Sequence, residues 1–142
     1  MNLTTQCLAI AQVQPPYGQP KESKVKLHLE VGECDGVTLV RCQGRITYRT
    51  EAAELSERVI AVLPFTHCVV LDLSGVERID SAGLGALVVL HMRSQASKCA
   101  MRLAAPRPQI KELLELTNLT SVLEVFPTIE EAMLSVREPA AS

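Results

Sequence analysis

The run "HCVVLDLSGV" (67–76) is apolar at nearly every position, and a second apolar run, "LGALVVL" (84–90), follows after a short polar break. An unbroken apolar run of this length fits a strand buried on both faces. The second run belongs to a helix expected from Ser81 to about Lys98. A strand with two covered faces needs a layer on each side. A strand feeding directly into a helix implies a βαβ crossover and a parallel sheet.

The rest of the chain extends that pattern. "KVKLHLEV" (24–31) alternates at period two, with Val25, Leu27, Leu29 and Val31 on one face, and reads as a half-buried strand. "ECDG" (33–36) is a turn and "VTLVRCQG" (37–44) a second strand, so the two form a hairpin. "TEAAELSERVIAVL" (50–63) reads as a helix with Thr50 as N-cap, Glu51 and Glu54 in the first turn, and Pro64 as the stop. Its apolar stripe is Ala53, Leu55, Val59, Ile60 and Leu63. "CAMRLAAP" (99–106) is a short strand, and Pro108 opens a helix with the stripe Ile110, Leu113, Leu114 and Leu116. "SVLEVFP" (121–127) is the last strand. Thr128 and Glu131 form a capping box at the start of the final helix. The order ββαβαβαβα predicts one α/β domain: a mixed, mostly parallel sheet of four to five strands with about four helices. Residues 1–23, with "QPPYGQP", are expected to be a flexible extension, 24–137 the domain, and 138–142 a frayed tail.

Composition narrows the function classes. Of the 142 residues only 3% are aromatic and the net charge is −2, with Lys and Arg scattered, which disfavours nucleic acid as the main partner. The five cysteines, Cys7, Cys34, Cys42, Cys68 and Cys99, contain no CxxC pair. Cys42 and Cys68 read as small core residues and reduced thiols fit the cytoplasm. No run reaches the ~18 apolar residues of a membrane span.

The polar break between the two apolar runs, "ERIDSAGLG" (77–85), holds the candidate chemistry. A hydrolase elbow needs G-x-S-x-G, and Ile79 stands where the first glycine would be. His91 lies ten residues beyond Ser81, roughly 15 Å along the same helix. "GLGALV" offers G-x-G without the third glycine of a dinucleotide fold, and Asp80 puts negative charge where a phosphate ligand would sit. Asp72 at a strand end resembles a phosphoryl acceptor, a role that needs a metal and further carboxylates; bonding to its own turn is the simpler reading. Asp80 or Ser81 serves as the N-cap. A cap leaves Gly83 and Gly85 unexplained. Two glycines in an early helical turn point to the close approach of another backbone or a bulky group. The helix is apolar nearly all round, with Leu84, Leu87 and Val88 on one side and Ala86, Val89 and Leu90 on the other. The surplus face needs either a neighbouring helix or a partner protein.

"VVLDLSGVERIDSAGLGALVVL" resembles the core motif of STAS domains, the fold of bacterial anti-sigma factor antagonists, and the likeness runs from about Lys24 to Val136. The resemblance implies that Ser81 is phosphorylated by a partner Ser/Thr kinase that is itself the anti-sigma factor. It implies no catalytic residue, metal or cofactor in this chain. The unmodified form would bind the kinase and free the sigma factor, through Asp80, Gly83, Leu84, Gly85, Val89 and Leu90, with Arg45 and Thr47 from the neighbouring loop. A STAS interaction module without the switch, such as a scaffold, lipid-transport accessory or nucleotide-sensing domain, is the alternative. One segment departs from the family pattern. "GRIT" (44–47) has Thr47 where an acid is usual, and Arg45 and Arg49 offer positive charge to an acidic partner or to the phosphate.

Overall fold

The computed structural model describes residues 27–34 and 36–137. The extension 1–23, positions 24–26 of the first strand, Asp35 of the turn and the tail 138–142 lie outside the described residues. The hairpin strands are β1 (Leu27–Cys34) and β2 (Val37–Ile46), paired antiparallel from Leu27↔Gly44 to Cys34↔Val37. Then come α1 (Tyr48–Val62), β3 (Cys68–Ile79), α2 (Ser81–Ala96), β4 (Ala100–Ala104), α3 (Pro108–Leu116), β5 (Glu124–Phe126) and α4 (Ile129–Arg137). Short 3₁₀ turns, Leu63–Phe65 and Leu119–Ser121, follow α1 and α3.

The five strands lie in the order β1-β2-β3-β4-β5, and every pair after the first is parallel. Because each crossover steps to the next strand in the same direction, α1, α2 and α3 all fall on one face. Leu55, Val59, Leu87, Leu90, Ile110 and Leu114 pack there against Val40, Cys42, Val69, Leu71 and Leu103. On the other face Ala132 and Met133 of α4 meet Val37, Leu39, Cys68, Val70 and Ala104. A sheet wound this way has no point where strand order reverses, the place where open α/β sheets form a ligand crevice.

Several boundaries differ from the sequence expectation. The helix expected from Thr50 begins at Tyr48 with Thr47 as N-cap, and the Thr47 hydroxyl makes no capping bond. Glu51 lies in the first turn as expected but is buried with Oε1 unbonded, and Ala52 rather than Ala53 faces the core. Leu116, the last residue of α3, is exposed rather than part of the buried stripe. One half of the expected capping box is present: the Glu131 amide donates to Thr128 Oγ1 at 3.0 Å.

The central strand β3 runs three residues past the expected end at Val76. β4 stops with Ala104 opposite Asp72, and beyond the first bulge the ladder from Gly75 to Ile79 pairs with β2 alone. The pairs Arg41↔Asp72, Gln43↔Gly75, Gly44↔Val76 and Arg45↔Arg78 show β3 gaining extra residues at two bulges. Bulges bend a strand and sharpen its twist. They break the alternation that marks a strand in sequence, which is why "ERI" (77–79) reads as part of the polar break. The bent end delivers Asp80 and Ser81 beside the end of β2.

Candidate functional site

The site is the junction of β3 with α2, set against the β2–α1 connection. Asp80 is extended and acts as the N-cap of α2, its Oδ1 accepting the Gly83 amide at 3.0 Å. Its Oδ2 accepts the Tyr48 amide at 2.9 Å. One carboxylate therefore caps the helix that directly follows it and holds the first residue of α1. These bonds, the Tyr48 amide first and Gly83 second, hold the Asp80 carboxyl below its usual range. Hydrogen bonds donated to the charged form have that effect. Asp80 thus bonds the first amide of α1 from across the site, while the N-cap Thr47 makes no side-chain capping bond.

The two glycines separate. A Cβ on Gly83 would lie 2.2 Å from the Ile46 carbonyl oxygen and 2.8 Å from Ile79 Cγ2. The close backbone anticipated at that position is the chain's own β2. A Cβ on Gly85 would meet nothing within 4 Å. Gly85 is exposed and lies one turn beyond Ser81, also exposed. Val89 is 46% exposed and Met92 58% exposed on the same side of α2. Spacings of three and four place residues 81, 85, 89 and 92 on one stripe. Of the two apolar sides read in the sequence, Leu87, Ala86 and Leu90 are buried, Leu84 and Val88 are half-buried, and only Val89 falls on this stripe. α1 packs against α2 and leaves the stripe uncovered by any described residue.

Other residues expected at a contact surface are inside. Leu90 is fully buried, Gly83 and Thr47 are buried, and Leu84 is half-buried. The buried ones offer no side-chain surface, so the exposed stripe shifts toward Met92. Arg45 is half-buried at the end of β2, opposite Arg78 across the bulged ladder. Tyr48, 68% exposed, stands at the edge of the site. No sequence signal singled it out, since its position depends on the Asp80 bond.

The remaining candidates resolve into structure. Asp72 is buried, accepts the Ser74 amide at 2.9 Å and pairs with Arg41 Nε at 3.5 Å. It bonds its own turn and neutralises a buried guanidinium. Among the described residues no cluster of three His, Cys, Asp or Glu side chains is placed to hold a metal ion. Cys42, Cys68 and Cys99 are free thiols buried in the core, and burial raises the pKa of each. No helix among the described residues is long and apolar enough to cross a membrane.

A singly wound mixed sheet with its crossover helices on one face, and an exposed serine directly after the cap of α2, defines a single α/β domain. The STAS domain model matches residues 28–132, and the chain belongs to the STAS domain family. A Thermotoga maritima protein assigned to the anti-sigma factor antagonists is 39% identical over 67 residues, covering 47% of this chain. The match spans 59% of that relative, less than two thirds of its length. An anti-sigma factor antagonist from Mycobacterium paratuberculosis superposes with a TM-score of 0.72 at 27% identity, covering 80% of this chain and 96% of that one. The Bacillus protein SpoIIAA in its unphosphorylated form, at 15% identity and a TM-score of 0.66, shares the fold, with coverage of 78% and 96%.

Proposed function

We propose that the chain is a cytoplasmic anti-sigma factor antagonist that binds a Ser/Thr-kinase-type anti-sigma factor and is switched by phosphorylation of Ser81. The observation that carries this reading is the exposed Ser81 hydroxyl at the head of the uncovered stripe of α2. Related proteins named as anti-sigma factor antagonists support it, and SpoIIAA has been solved in both unphosphorylated and phosphorylated forms.

The chemistry asked of this chain is slight. Ser81 supplies a hydroxyl, while ATP and Mg²⁺ belong to the kinase. A phosphate on Ser81 adds roughly two negative charges and three acceptor oxygens. The free amides of the first turn of α2 favour it, while the adjacent Asp80 carboxylate repels it. The fold survives the modification, and the stripe beside it becomes charged and crowded. An apolar partner surface then dissociates.

Incubation with the cognate kinase and ATP, followed by mass spectrometry, tests the switch. Ser81 gains one phosphate in the wild type and Ser81→Ala gains none; equal modification of both sinks the proposal. Ser81→Asp loses kinase binding in a pull-down. One observation favours a non-switching STAS module instead: Thr47, buried, occupies the position where the family often has an acid. An unmodified wild type in the same assay selects that reading.

A further inference from the structure

Tyr48 sits where an aromatic residue has the least reason to be. Its φ is +62°, in the left-handed region. That region is disfavoured for bulky residues, and strain of this kind clusters at functional sites. Three other non-glycine residues among those described share the conformation: Lys98, Ala105 and Asn118. Lys98 and Asn118 directly follow the C-caps of α2 and α3, where a left-handed residue is the ordinary way to end a helix. Tyr48 opens a helix instead. Its ring adds little to the core, because the residue is 68% exposed. Its amide donates to Asp80 Oδ2 at 2.9 Å.

We infer that Tyr48 is a specificity-determining contact, an aromatic anchor presented to the partner by Asp80. This rests on the reading of Ser81 as substrate of a kinase-type anti-sigma factor. A kinase that receives the Ser81 hydroxyl must cover the ground around it, and about 800 Å² is buried per partner in a standard interface. Tyr48 is tied to the residue that precedes Ser81, so it falls within that area. Tyr48 adds an exposed aromatic residue at the Asp80 end of α2, the helix along which Gly85, Val89 and Met92 are exposed. Such a residue fits an apolar pocket on the partner. Tyrosine is among the residues that most often dominate binding when seated in one. Asp80 is then a positioning residue: it acts on the partner through the pose of Tyr48.

Two measurements on the full chain, with Tyr48→Gly and Tyr48→Phe, test this. Glycine takes the left-handed conformation without strain, so Tyr48→Gly melts at the same temperature as wild type or higher. A clear drop would mean that Tyr48 serves folding, and would overturn the inference. In titrations with the cognate anti-sigma kinase, Tyr48→Gly binds about tenfold more weakly or worse, and Tyr48→Phe stays within about threefold of wild type. Equal binding by wild type and Tyr48→Gly sinks the role of Tyr48 alone, with the Ser81 reading intact. A wild type that fails to bind the kinase removes both.

Discussion

Asp80 and Tyr48 lie 32 residues apart in sequence, and the Asp80 carboxylate accepts the Tyr48 amide at 2.9 Å. Through its other oxygen the same group caps α2 at Gly83. The serine proposed as the switch is therefore fixed next to a side chain that joins two helices. Ordinary capping chemistry supplies the link, with one partner drawn from a distant part of the chain.

Removing that carboxylate loosens both helices. Asp80→Ala should lower stability by about 1 kcal/mol or somewhat more, the usual loss for an N-cap with one added bond. The carboxyl is held below its usual value of 3.8 by the Tyr48 and Gly83 amides. A depressed pKa contributes stability above the unfolded value, and that contribution is lost as pH falls through the folded one. Denaturant titrations of wild type and Asp80→Asn should therefore differ at pH 7 and converge as the pH is taken well below 3.8. A gap that persists unchanged in acid would show that the charge plays no part.

The two glycines of α2 should respond in opposite ways. Gly83→Ala forces a methyl onto the Ile46 carbonyl at 2.2 Å, where backbone has to move. Overpacking of this kind costs about 1–3 kcal/mol or more. Gly85→Ala enters open space in a helix and should stabilise by up to about 1 kcal/mol. Thermal denaturation distinguishes them, and equal shifts would contradict the packing described.

Asp72 should behave as a structural residue. Asp72→Ala leaves Arg41 without its carboxylate in a buried setting and removes a bond to the Ser74 amide. Breaking such a pair costs about 3–5 kcal/mol. Phosphate incorporation by the kinase at a temperature where the variant is folded should still occur, at Ser81. Loss of all incorporation by the folded variant would restore Asp72 as an acceptor.

The core thiols should be inert. Burial pushes the Cys68 thiol up to about 12 and raises Cys42 as well. The thiolate is the reactive form. Alkylation at pH 8, mapped by peptide mass, should leave Cys42 and Cys68 unmodified in the native protein and modify both in denaturant. Native labelling of either would mean that the core opens readily.

Much of the fold was legible locally. The apolar run of β3 marks a doubly covered strand, the helix after it follows from period and length, and Thr128 with Glu131 announces the last helix. Asp80 and Ser81 stood out because a cap alone did not account for two nearby glycines. Features that depend on distant partners were not legible. Gly83 looked like a place kept open for a partner, and it is filled by the carbonyl of Ile46. Glu51 fits a helix start by charge, yet α1 begins earlier and turns it inward. Leu90 sits on an apolar helix with no local sign of which side faces the sheet.

The sequence by itself determined the alternation of strands and helices, the parallel sheet and the serine at the head of α2. These follow from hydrophobic period and capping chemistry, which act over a few residues. Only the tertiary structure decided which face of α2 stays bare, why Gly83 and Gly85 differ, and that Tyr48 belongs to the site. Those depend on the bulges that bend β3 toward β2 and on a bond between residues 80 and 48. Contacts of that kind join segments far apart in the chain, and no local pattern of residues encodes them.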